Sequence, residues 1–280
     1  MNKSFILFCL GGGVFCLNNL SYSSELYQCT PCPDGFLCEN SEKKDCPDGY
    51  FCQSGFKFIC DDYFYCDNKS ATKCEKDYVC PSGTMNKIPL SQCQKTLVKS
   101  FTTSGSYNDY KLPVGIFLIE VASAGGGGGG SYGGYSFPKK YYTRGGNGGN
   151  GELKTDIIYN KEEISTIVVL GAAGAAGGDR SDGKNADDSY FAIRGIKTVS
   201  EYVDNTGKTH YVEQNGFELK AEGGKAGGGG SKHDGGKDAT NTGNGQGGAG
   251  GAGGKKDSYP RSHPGNKGSD GWIKIYQISC

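Results

Sequence analysis

The stretch that decides the fold runs from residue 116 to residue 130: Ile116-Phe-Leu-Ile-Glu-Val121, then Ala-Ser, then Ala124-Gly-Gly-Gly-Gly-Gly-Gly130. The first six residues are nearly apolar on both faces of an extended chain, the pattern of a buried strand. The glycines that follow have the composition of a flexible linker. A linker predicts no buried strand beyond them, yet strands recur to the end of the chain. Leu153, Ile157 and Tyr159 share one parity against Glu152, Lys154 and Asp156. Ile164 to Leu170 is β-branched, Phe217-Glu-Leu-Lys-Ala221 alternates, and Trp272 to Ile278 sets Ile273 and Ile275 against Lys274 and Tyr276. No window reads as an amphipathic helix, so the fold class is mainly β. Glycine has no Cβ, so extended glycine segments can pack side by side through N–H···O and Cα–H···O contacts. Ordering them costs ~1–2 kcal/mol per residue. A glycine array therefore needs a strand frame to hold its ends, and this chain has one.

The composition narrows the function classes. Lys+Arg and Asp+Glu are balanced at 30 each, which argues against a nucleic-acid protein and removes bulk charge as a reason to seek anionic membranes. Glycine at 49 residues, cysteine at 13 and a hydrophobic fraction of 35% exclude an ordinary helical or doubly wound enzyme with a large apolar core.

At the N-terminus Lys3 precedes an apolar stretch, Phe5 to Leu17, and small residues Ser21 and Ser23 follow. This reads as a secretory signal peptide over 1–23, too short in its apolar run to cross a bilayer. Export makes the remaining cysteines legible. Cys32, Cys46, Cys60 and Cys74 recur every 14 residues, and Cys38, Cys52, Cys66 and Cys80 follow the same step. The unit begins Cys-Pro-Asp-Gly in its first two copies, and an aromatic residue recurs before the second cysteine. Such a short repeat cannot bury a core alone and is expected to be stapled by disulfides. Cys29, Cys32, Cys38, Cys46, Cys52, Cys60, Cys66, Cys74, Cys80 and Cys93 make an even ten, expected to form five bridges of unreadable connectivity. Zinc would need paired Cys-x2-Cys knuckles, and only Cys29 and Cys32 have that spacing. Cys280 is left over at an exposed end, and a leftover thiol in an oxidising compartment is expected to pair between chains, giving a disulfide-linked homodimer. The chain thus divides into the signal peptide (1–23), cysteine-rich 14-residue repeats (24–95) and a glycine-rich β domain (96–280).

No catalytic pattern survives inspection. Gly243-Asn-Gly-Gln-Gly-Gly248 fits the dinucleotide fingerprint in form, but no strand precedes it and no helix follows. His210, His233 and His263 lack metal spacing, and Asp179, Asp182, Asp187 and Asp188 miss the calcium-loop pattern. No metal, cofactor or enzymatic activity is expected. The most suggestive polar segment is 131–150, where Tyr132, Tyr135, Tyr141, Tyr142 and Arg144 lie between glycines, with Phe137, Lys139 and Lys140 alongside. Tyrosine among small residues is the composition of adaptable binding loops. The same rings could equally shield glycine segments from water, and both readings stay open.

The order of motifs then carries a resemblance. Ser100-Phe-Thr-Thr, Leu112-Pro-Val-Gly115 and the 116–130 stretch are followed by Gly149-Asn-Gly-Glu-Leu153 and Ile167-Val-Val-Leu-Gly-Ala-Ala-Gly174. Leu219-Lys-Ala-Glu-Gly-Gly224, Gly247-Gly-Ala-Gly-Gly251 and Ser269-Asp-Gly-Trp-Ile-Lys-Ile275 complete it. Over roughly 100–278 the chain resembles the glycine-rich domain of phage tail-fibre adhesins and bacterial secreted proteins. It is more distantly similar to the extracellular glycine-rich domain of anaplastic lymphoma kinase. Residues 196–215, centred on Asp204-Asn-Thr-Gly207, read as an inserted hairpin that departs from the pattern. The cysteine repeats look like the Cys-Pro-x-Gly-Tyr-x-Cys modules of surface proteins. The resemblance implies a β-sandwich-like frame carrying packed polyglycine-II helices, used for binding. The expected function is that of an exported recognition or adhesion protein at the cell surface, a glycine-rich head on a disulfide-stapled stalk with a glycan or protein partner on a host or neighbouring cell. The alternative is a structural envelope or matrix protein cross-linked through Cys280.

Overall fold

The computed structural model describes residues 30–39, 42–193, 216–255 and 261–280, together with the backbone of 14–15, 198–203 and 209–214. The signal-peptide reading and Cys29 fall outside these residues, save that Val14–Phe15 (β1) pairs antiparallel with Thr30–Pro31 (β2). The chain forms two compact units. One is built from residues up to Gln94, with 197–214 and Cys280; the other spans Lys95–Ile196 and Asn215–Ser279.

In the first unit each 14-residue repeat becomes a small antiparallel hairpin. Phe36–Glu39 (β3) pairs with Glu42–Asp45 (β4), Tyr50–Gln53 (β5) with Phe56–Ile59 (β6), and Phe64–Cys66 (β7) with Ala71–Lys73 (β8). Tyr78–Val79 (β9) pairs with Ile88–Pro89 (β10). One bridge closes the entrance to each: Cys32–Cys38, Cys46–Cys52, Cys60–Cys66 and Cys74–Cys80, all six residues apart. The turn between the two cysteines bends through a left-handed residue at the same place every time: Gly35, Gly49, Tyr63 and Asp77, with φ of 88°, 81°, 69° and 71°. The Pro-Asp-Gly of the first two copies supplies that conformation without a Cβ penalty.

Cys93 and Cys280 depart from the expected scheme. They bond to each other, with Cα atoms 4.3 Å apart, across a sequence separation of 187. The expected fifth bridge among the ten repeat-region cysteines and the expected cross-chain bond at Cys280 are both replaced by this one. Topology is the reason. Cys93 immediately precedes Gln94–Phe101 (β11) and Cys280 immediately follows Trp272–Ser279 (β22), and these strands are neighbours in one sheet.

The second unit is a pair of four-stranded sheets around one apolar core. The chain's remaining strands are Gly105–Leu112 (β12), Gly115–Ala122 (β13), Tyr132–Ser136 (β14), Lys139–Thr143 (β15), Leu153–Asn160 (β16), Ile164–Leu170 (β17), Ser189–Ile193 (β18), Thr198–Val203 (β19), Thr209–Gln214 (β20) and Glu218–Ala221 (β21), of which β19 and β20 belong to the first unit. One sheet runs β11-β22-β13-β16 and the other β12-β17-β18-β21. The stretch at 116–121 is the centre of the first, with β22 and β16 antiparallel on either side. Its Phe117, Ile119 and Val121 meet Ile273 and Ile275 from the same sheet, and Val168, Phe191 and Leu219 from the other, all buried. Removing a ring such as Phe117 from this core would cost about 3–5 kcal/mol. The 196–215 insertion does contain a hairpin, β19 against β20, whose connecting turn lies outside the described residues.

Between the strands the glycine tracts form an ordered array. The run 124–131 is its axis, and its hydrogen bonds advance three residues at a time. The N–H groups of Gly125, Gly128 and Ser131 donate to the carbonyls of Ser269, Asn266 and His263. Those of Gly126 and Gly129 donate to Gly149 and Gly146, and those of Gly127 and Gly130 to Lys184 and Ser181. Three further segments donate to the axis: Gly174, Gly177 and Arg180 to the carbonyls of Gly125, Gly128 and Ser131; Gly224, Gly227 and Gly230 to Ala124, Gly127 and Gly130; Gly248, Gly251 and Gly254 to Ser123, Gly126 and Gly129. Six extended segments thus ring one, three antiparallel that accept and three parallel that donate. The approach leaves no room for side chains: a Cβ on Gly127 would lie 1.9 Å from the Ala175 carbonyl oxygen, and one on Gly129 2.2 Å from that of Gly228. Buried Ser123 and Ser131 close the two ends of the axis; the Ser123 hydroxyl donates to the Glu222 carbonyl and accepts from the Glu152 N–H, and that of Ser131 accepts from His263 at 2.8 Å.

Asparagine and aspartate extend the same period at the rim. The side-chain oxygens of Asp238, Asn241 and Asn244 accept the N–H groups of Asn147, Asn150 and Leu153. Those of Asp182, Asn185 and Asp188 accept Gly229, Ala226 and Gly223. Two members of the acidic loop at 179–188 therefore act as backbone acceptors. No buried side-chain N or O atom among the described residues lacks a partner.

Candidate recognition hairpin

The tyrosine-rich segment is a hairpin rather than a loop. β14 and β15 pair antiparallel, with Tyr132 opposite Thr143, Gly134 opposite Tyr141 and Tyr135 opposite Lys140, around a turn at Phe137-Pro138. Glycine at 133 lets the hairpin lie against the chain at Arg261, whose backbone a Cβ would strike at 2.3 Å. Strand alternation then divides the four tyrosines among the sequence-predicted residues. Tyr135 and Tyr142 share one face with Lys140, while Tyr132 and Tyr141 share the other with Lys139.

Those rings have different duties. Tyr132 is half-buried beneath Arg180, whose guanidinium lies 4.6 Å from the ring centre and also donates to the Gly133 carbonyl at 3.0 Å. Tyr141 is half-buried, with the Lys232 ammonium 4.6 Å from its ring centre and His233 edge-on at 5.4 Å. Tyr142 is also half-buried. Arg144 pairs with Asp238 through both guanidinium nitrogens, at 3.2 and 3.1 Å, and so anchors the base of the hairpin. The Asn147 N–H, and after it the Arg144 guanidinium, hold the Asp238 carboxyl below the usual carboxylate range. Only Tyr135 stands clear, 68% exposed, with the Lys140 ammonium 5.6 Å from its ring centre.

At the turn Phe137 is fully exposed, and Pro138, Lys139 and Lys140 beside it are exposed as well. Lys232, His233 and Arg180 join this surface from segments that lie far along the chain, so no local pattern announced them. The arrangement supplies aromatic faces and cations on a strand support. Among the described residues no three His, Cys, Asp or Glu side chains converge as metal ligands would.

A family model described as a glycine-rich domain matches residues 102–277, which leaves the cysteine repeats outside the match. The curated proteins contain no match to the chain.

Proposed function

The chain belongs to the glycine-rich domain family, and from that premise we propose that it is an exported, non-enzymatic recognition or adhesion protein whose contact surface is the β14–β15 hairpin. The observation that carries the reading is the exposed Tyr135–Phe137 tip with lysines at its flanks, held on a strand-and-glycine support that leaves little to order upon binding. We read the three-residue hydrogen-bond period as polyglycine-II packing, with three residues per turn and no internal bonds. Export is supported by the signal-like N-terminus and by repeats stapled by disulfides, which persist in oxidising compartments. Likeness in motif order to tail-fibre glycine-rich domains favours recognition, with the repeats as spacer. The structural-matrix alternative drew on a cross-link at Cys280, which the Cys93–Cys280 bond removes.

The test is a glycan and protein array probed with the secreted chain and with Tyr135→Ala. Discrete hits that vanish in the variant support the proposal. Hits that survive Tyr135→Ala place recognition elsewhere, and a blank array with insoluble assemblies favours a structural role.

A further inference from the structure

The charge and polarity of the hairpin tip name a partner more closely than adhesion alone does, and the inference rests on the reading of this hairpin as the contact surface. Phe137 is fully exposed at the turn, and Tyr135 is the next most exposed large ring among the described residues. Phe137, with its whole ring in solvent, lines no concavity; a cleft lies instead in the cysteine repeats, between Tyr65 and Asn86. A fully exposed phenyl ring with no enclosing pocket buries little of its surface against a small hydrated ligand. It gains most from a partner with an apolar layer of its own.

The charges beside it specify the surface of that layer. No acidic residue occurs between Tyr132 and Arg144, and Lys139 and Lys140 leave the turn on β15, on opposite faces of the hairpin. Lys232 sits over Tyr141 on the flank, and Arg180 over Tyr132. The chain as a whole is neutral, so this concentration of cations is local. An apolar point at the turn, with an amphipathic ring and two lysines on the two rungs next to it, matches the outer depth profile of a bilayer: acyl chains first, then the interface with its phosphate headgroups. We propose that the β14–β15 tip is a peripheral insertion point for anionic phospholipid membranes, with Phe137 in the acyl boundary, Tyr135 at the interface, and Lys139 and Lys140 on the lipid phosphates.

The test is flotation of the full secreted chain with vesicles of phosphatidylcholine alone and of phosphatidylcholine mixed with phosphatidylglycerol. Binding is expected on the anionic vesicles and is expected to weaken with salt. Phe137→Ser should weaken it by about tenfold or more, and a Lys139→Glu/Lys140→Glu pair should abolish both binding and its salt dependence. Phe137 is wholly exposed, so its replacement leaves the fold intact, as circular dichroism would check. Absence of flotation, or flotation unchanged by Phe137→Ser, overturns the proposal. Competition by a soluble acidic polysaccharide that itself binds wild type and Phe137→Ser equally would make the partner an anionic glycan. Tyr135-dependent array hits without vesicle binding would sink the lipid assignment while leaving the recognition reading in place.

Discussion

Gly127 shows most directly what the glycines do. Its N–H, its carbonyl and its missing side chain each face a different neighbouring segment, so alanine would force backbone apart on the axis itself. Gly127→Ala should destabilise the unit by more than the ~1–3 kcal/mol of ordinary overpacking. Gly178→Ala is the control, because a Cβ there meets nothing within 4 Å; it should stay within about 0.5 kcal/mol of wild type. Denaturant midpoints of the two variants check the contrast. The rim acceptors add a pH dependence. Asp238 is held low by the Asn147 N–H and Arg144, and Asp188 by Lys220 and the Gly223 N–H. A carboxyl lowered in the folded state stabilises it above the unfolded value, near 3.8, and that stability drains as pH falls further. Melting temperature should therefore drop as pH is lowered from about 5 toward 3. In Asp238→Asn the side-chain oxygen can still accept from Asn147, so the loss at neutral pH should be under about 1 kcal/mol and part of the acid sensitivity should go with it.

Among the elements, the hairpin repeats make their own prediction. Asp77 holds the left-handed position that Gly35 and Gly49 occupy in the first two copies. Asp77→Gly should raise stability or leave it unchanged, by no more than about 1 kcal/mol, since the relieved strain is partly offset by a looser unfolded chain. Thermal melting of the oxidised protein would show a clear drop if the position does not need its φ. What the sequence could announce was set by how each element is packed. β13, β17, β21 and β22 were legible because one or both faces are buried, and burial writes apolar parity into the residues; β16 was legible as a strand but not in its facing, because Ile158 and Asn160 are the buried side chains while Leu153, Ile157 and Tyr159 are only half-buried. β11 was not, because Leu97 and Val98 are exposed and only Phe101 is buried, so no parity exists to read. In β12 the register shifts between Asn108 and Tyr110, at Asp109 with φ of 69°, and the inward rings fall three apart rather than two. The tyrosine hairpin passed for a loop because its glycines serve close packing, not turning. A signal for the array was present and went unread: glycine one residue in three, at 145, 148 and 151, where a Cβ would strike the axis, and at 174 and 177 and at 248, 251 and 254, whose N–H groups donate to it. Of the five candidate binding residues, sequence identified the segment; it could not foresee that Arg144 is taken up by Asp238, 94 residues away.

At the scale of the whole molecule, the account is of a glycine array held by strands and closed by one long-range bond. In the chain-entropy model a bridge spanning 187 residues contributes about 5 kcal/mol, against about 2 kcal/mol for a bridge across a single repeat. Cys280→Ser should therefore lower stability markedly and leave Cys93 reactive to thiol reagents, whereas in the unreduced wild type neither Cys93 nor Cys280 should react. Labelling of either residue in the unreduced wild type, mapped by peptide, would contradict the pairing. The measurement that bears most directly on the central claim is amide hydrogen exchange at Gly125 to Gly130. Each of these N–H groups donates to a carbonyl at 2.8 to 3.0 Å inside a ring of six segments, so the six glycines should exchange as slowly as the core strand Phe117–Val121. Exchange of the glycines at the rate of an unstructured peptide, with Phe117–Val121 still protected, would mean a tethered linker and no array.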